Sequence, residues 1–107
     1  MTEGSRLNLQ VLEPFGGRMH LAPDTPAQIR VLVKCSHPPV ELTTSLSEGV
    51  SLTDGQANTT RVVEEAEAEV DYTVVVSRIG NETEHIQIRA ECGGLLQLAD
   101  VVVQRTA

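Results

Sequence analysis

A chain of 107 residues carrying a formal charge of −7 and a pI near 4.8 is long enough to bury its own core as one domain. Its acidity repels phosphate backbones and anionic headgroups alike, which argues against nucleic acid and membrane surfaces as partners. With one Phe, one Tyr and no Trp, the core has to be aliphatic, and Val, Leu and Ile in that role favour strands. No run approaches the roughly 20 apolar residues of a membrane span. Met1 to Ser5 lacks the basic and apolar regions of a secretory signal, so a role outside the cytosol implies a segment of a longer precursor.

After a flexible tail over residues 1–5, Leu7, Leu9 and Val11 alternate with Asn8 and Gln10 and predict a first strand, ending at Pro14 and a Gly16-Gly17 turn. His20 and the proline-punctuated Leu21 to Pro26 read as a loop. A second strand runs from Ala27 to Cys35, with Ile29, Val31, Val33 and Cys35 on one face and Gln28, Arg30, Leu32 and Lys34 on the other. Pro38-Pro39 stops it. A third strand spans Val40 to Leu46, and Glu48-Gly49 turns the chain into a short Val50 to Leu52 segment closed by Asp54-Gly55.

Glu64 to Glu69 has high helix propensity, and a helical turn over Val62 to Glu65 is an alternative there. Period two favours a strand from Ala66 to Ile79, with Ala66, Ala68, Val70, Tyr72, Val74 and Val76 inward and Glu65, Glu67, Glu69, Asp71 and Thr73 outward. A turn at Gly80-Asn81 leads into a strand whose inward face is Ile86, Ile88, Ala90 and Cys92. Gly93-Gly94 then signals a tight hairpin into a last strand, Leu95 to Gln104. The expected fold is all-β, one sandwich domain over residues 1–107 with about seven antiparallel strands in two sheets.

In strand number, turn spacing and the inward parity of Cys35 and Cys92, the chain resembles the immunoglobulin-like superfamily over nearly its whole length, at the level of fold. It departs from the antibody type in having no Trp to pack on the cysteines and in carrying Ala90 two positions before Cys92, where such domains place a tyrosine. It is therefore more similar to the degenerate Ig-like, fibronectin-III-like or early-set modules of multidomain surface proteins. The resemblance implies a disulfide between Cys35 and Cys92 that ties the two sheets together, and a role as spacer or binding unit. Two buried free thiols are the alternative, since free cysteine packs as a small hydrophobe and a cytosolic protein keeps it reduced.

The local signatures of catalysis and cofactor binding are absent: no G-x-S-x-G, no glycine-rich phosphate loop, no H-E-x-x-H, no C-x-x-C. Cys35, His37 and Cys92 lack a further ligand for zinc, and parity turns His85 away from Cys92, so no metal, cofactor or small-molecule substrate is expected. Asn58-Thr59-Thr60 and Asn81-Glu82-Thr83 are N-glycosylation acceptor sequences in predicted loops, pointing to an extracellular setting. The outward carboxylates Glu65, Glu67, Glu69 and Asp71 lie roughly 7 Å apart along one strand and do not converge as calcium requires. Cross-strand pairing with Arg30 and Lys34 is expected instead, with Lys34 opposite Asp71 or Glu69. Phe15 is the sole candidate platform for a sugar ring.

For a protein partner or adjacent domain, two surfaces stand out. Leu32 and Val75 are apolar residues on polar faces that strand pairing is expected to join into one patch. Val101, Val102 and Val103 make the last strand apolar on both faces, as expected of a strand covered on both sides. These features together suggest a non-enzymatic structural or protein-binding module of a larger surface or secreted protein. Alternatives are a cytosolic appendage-like sandwich in a trafficking or assembly complex, with reduced cysteines, and a small metal-dependent or catalytic domain.

Overall fold

In the computed structural model, which describes residues 6–53 and 58–106, alternation of apolar and polar side chains resolves into nine strands. They are β1 (Leu7–Glu13), β2 (Arg18–Leu21), β3 (Ala27–Cys35), β4 (Val40–Leu46), β5 (Val50–Leu52), β6 (Asn58–Val63), β7 (Glu67–Val76), β8 (Thr83–Cys92) and β9 (Leu95–Arg105). One sheet has the order β1-β3-β7-β5 and the other β2-β9-β8-β4-β6. Their inner faces interleave into one aliphatic core, with Ile29, Val31 and Val33 from β3, Leu42 from β4, Val74 from β7 and Ile88 from β8 all fully buried. The parity read from the sequence holds on β3, β7 and β8, and the strands Ala27–Cys35 and Val40–Leu46 have the bounds expected.

Several expectations are corrected. The strand count rises from about seven because β2 and β6 form where a loop and an undecided stretch were expected. Arg18–Leu21 is too short to show a period, and its pairing is supplied from outside: it lies parallel to β9, Arg18 beside Val102, so the strands are not all antiparallel. His20 is thereby a strand residue. No helical turn forms over 62–65, and the strand expected from Ala66 to Ile79 is Glu67–Val76. The tail 1–5 and the Asp54-Gly55 turn lie outside the described residues.

The chain changes sheet between β1 and β2. β1 keeps its pairing with β3 through a register slip at Val11/Glu13 as far as Glu13 opposite Arg30, then Pro14 offers no N–H to continue the ladder and a single 3-10 turn over Phe15–Gly17 re-aims the chain. At the other hairpin, Gly93 and Gly94 have φ of 53° and 87°, the positive values that a two-residue turn between twisted strands demands. Cys92 and Leu95 are the pair that closes it.

The sandwich has two distinct poles. One gathers Leu7, Cys35, and the hairpin joining Cys92 to Leu95. The other gathers Gly49, Ser77, Asn81 and the end of β9 at Arg105. Between them β8, with 10 residues, runs about 33 Å.

Candidate functional site

The two cysteines meet across the core. Cys35 ends β3 in one sheet and Cys92 ends β8 in the other, and their sulfurs are 2.9 Å apart as unbonded thiols. The Cys35 thiol donates to Cys92 Sγ, and the Cys92 thiol donates in turn to the carbonyl oxygen of His37 at 2.9 Å. Both are buried. The Cys92 thiol is held above the ordinary thiol range, first by its hydrogen bond with Cys35 and then by burial, which disfavours its thiolate. Among the described residues no three His, Cys, Asp or Glu side chains group as metal ligands.

The outer face of β3 and β7 carries the charged pairs expected there, in a shifted register. Lys34 lies opposite Glu67, not Glu69 or Asp71, with Lys34 Nζ 3.4 Å from Glu67 Oε1. Arg30 takes the place opposite Asp71, its Nε donating to Asp71 Oδ1 at 2.9 Å, with Glu13 and Glu69 at 3.9 Å. The Arg30 guanidinium is pushed further up by Asp71, first through that hydrogen bond. The same register separates the proposed apolar patch. Leu32 lies opposite Glu69 while Val75 lies opposite Ser51, six residues and about 20 Å along β7. Each is half-buried on an outer face, and they do not form one patch.

Val101 and Val103 are also corrected: both are core residues, fully buried against the opposite sheet. Of these three valines only Val102, half-buried between His85 and Arg18, faces outward. The exposed apolar residues of this strand are Leu96 and Leu98, which the sequence reading did not single out.

A second buried polar centre was also missed. Glu84, on the inward face of β8 one step before Ile86, is fully buried, and its Oε2 accepts from Arg105 Nη2 at 3.0 Å and from the backbone N–H of Asn81 at 3.0 Å. Arg105 also donates to the carbonyl oxygens of Ser77, Asn81 and Gly49. One side chain thus pins the end of β9 to two loops. A Cβ added at Gly49 would run into the tips of Glu84 and Arg105, which would have to shift to admit it. Extending the strand period from Ile86 back by two would have placed Glu84 inside.

On the open side of the sandwich, Arg61 of β6 lies over the Tyr72 ring at 4.5 Å and donates to the Asp71 carbonyl at 2.9 Å. Tyr72 is buried as expected, beside Thr44 of the facing sheet, and burial raises its phenol above the ordinary range. Phe15 stands almost fully exposed in its turn. Of the two glycosylation acceptors, Asn81 is exposed in the loop between β7 and β8. Asn58 is the first residue of β6, opposite Ser45, and so lies in a strand where a loop was expected. No family model matches the chain and no curated protein matches its sequence.

Proposed function

We propose that the chain is an immunoglobulin-like sandwich that serves as a non-enzymatic structural or protein-binding module of a larger surface or secreted protein. The observation that carries this reading is the apposition of Cys35 and Cys92 from opposite sheets at 2.9 Å, the position from which a bridge would staple an Ig-type core. The neighbour relations β1-β3-β7 and β9-β8-β4 support it, since they parallel the A-B-E and G-F-C sets of that fold. The route after β4 is a departure, because the chain visits β5 in the first sheet before β6 returns to pair with β4.

The layout supports a module role. β1 starts at the cysteine pole and β9 ends at the Arg105 pole, a geometry that suits domains strung head to tail. The acceptor at Asn81, exposed in the loop between β7 and β8, is compatible with a glycan. A second reading, a cytosolic appendage-like sandwich in an assembly complex, is favoured by one observation: both thiols are already satisfied without a bond, through Cys92 and the His37 carbonyl.

Alkylation of denatured, unreduced protein made in a secretory host, followed by intact mass, separates the two. The surface reading expects no labelled cysteine. Two labelled cysteines would assign the chain to the reducing compartment.

A further inference from the structure

We propose that the free half of the β9 edge, Leu95 to Ala99, is a homotypic docking edge through which two copies of this chain join their larger sheets by antiparallel β9–β9 pairing. Among the described residues only Arg18–Leu21 pairs with the outer side of β9, and it reaches no further than Val102. The Phe15–Gly17 turn covers the next step, since a Cβ added at Gly17 would lie 3.0 Å from the Asp100 carbonyl oxygen. From Ala99 back to the hairpin, no described residue pairs with this side of the strand.

An unpaired strand edge is a template for another strand unless charge, proline, a bulge or brevity blunts it. The other edges are so blunted. β1 has a register slip followed by Pro14, β5 is three residues long, β2 is four and carries Arg18, and β6 carries Arg61. The β9 stretch has none of these: it is uncharged, lacks proline and keeps an unbroken register against β8.

The hydrogen-bonding phase fixes the registers open to a second copy. Cys92 and Leu95 close a two-residue turn and so exchange backbone bonds, which turns the N–H and C=O of Leu95, Gln97 and Ala99 toward β8 and those of Leu96, Leu98 and Asp100 outward. Two twofold registers satisfy that phase. Centred on Leu98, each Leu96 would face an Asp100 of the other copy. Centred on Gln97, Leu96 faces Leu98 of the other copy twice over, Leu95 faces Ala99, and Asp100 reaches only the glycine turn. Apolar cross-strand pairs favour the second. Leu96 and Leu98 are 48% and 52% exposed as monomer residues, so the pairing covers surface that is otherwise left to water.

This gives the binding-module reading a surface and a partner, and rests on it. The thiol count tests that reading separately, so a failure here removes the edge alone.

The test is sedimentation equilibrium of the purified chain under reducing conditions, with four variants. The expected result is a concentration-dependent dimer. Leu98→Pro removes an outward N–H that β8 does not use, and the double change Leu96→Lys with Leu98→Lys places like charges face to face. Each should weaken association by about tenfold or more and leave the circular dichroism spectrum unchanged. Gln97→Cys, facing its own copy in a non-hydrogen-bonded pair at about 4.5 Å between Cα atoms, should form an intermolecular disulfide on oxidation, which Leu98→Cys should not. A monomer at millimolar concentration, a dimer indifferent to both edge variants, or cross-linking at position 98 in place of 97 overturns the proposal.

Discussion

Glu84 and Arg105 show what a buried ion pair contributes. Each finds hydrogen-bonding partners around it, and removing one member leaves the other charged and desolvated. Arg105→Met is therefore expected to destabilise the domain by about 3 kcal/mol or more, read as a shift in urea midpoint. The joint change Glu84→Leu with Arg105→Met should cost less than Arg105→Met alone, because no charge is then stranded. The thiol and phenol in the core give a second expectation. Folding raises both Cys92 and Tyr72, so the reduced protein binds these protons more tightly folded than unfolded. Their contribution is complete below the ordinary thiol range and is lost as pH climbs through the raised values. Denaturation midpoints of reduced protein should hold from pH 6 to 8 and fall in the alkaline range; a midpoint that rises there contradicts the assignment. If the thiols are oxidised to a bridge, closing a loop over 57 positions should add roughly 4 kcal/mol in the chain-entropy account.

At the scale of elements, the β3–β7 ladder decides how its side chains act. Lys34 and Glu67 are each more than half exposed, so Lys34→Ala should cost at most about 1 kcal/mol, and less in high salt. The carboxylates lie in line along the strand, Glu67 on Lys34 and both Glu69 and Asp71 on Arg30, and do not converge, so millimolar calcium should leave the thermal midpoint where it is. Leu32 and Val75, being about 20 Å apart, should behave as independent sites: the stability changes of Leu32→Ser and Val75→Ser should add within about 0.5 kcal/mol. Strong non-additivity would place them in contact, contrary to the register. What the sequence disclosed follows the same division. Period two gave the faces of β3, β7 and β8, because a strand buried on one side writes its parity into side-chain polarity. It could not give the offset between β3 and β7, since distant strands are aligned by packing and no turn between them fixes it. That offset decided both the partner of Lys34 and the fate of the Leu32–Val75 patch.

For the whole molecule, the two-sheet sandwich was legible and its closure was not. Arg18–Leu21 and Asn58–Val63 mix polar and apolar residues without a sustained period, and they become strands because β9 and β4 offer them a ladder. Glu84 was unreadable by residue type, since an acid is expected outside unless the topology delivers an arginine. Val101 and Val103 were misassigned because a buried strand flanked on both sides and a strand awaiting a partner show the same continuous apolar run.

The parallel pairing of β2 with β9 bears on how the protein is made. Arg18 leaves the ribosome early and Val102 late, yet each supplies the other's backbone partner, and the Arg105 clamp reaches back to loops already synthesised. β4 can pair with β6 and β8 beforehand, but β2 has no place in the second sheet until β9 has been synthesised. Folding must wait for nearly the whole domain and then close its longest loop, which places it among the slower domains of its size. During that interval the edge of β8 that β9 will cover stays unpaired, an open template for other strands.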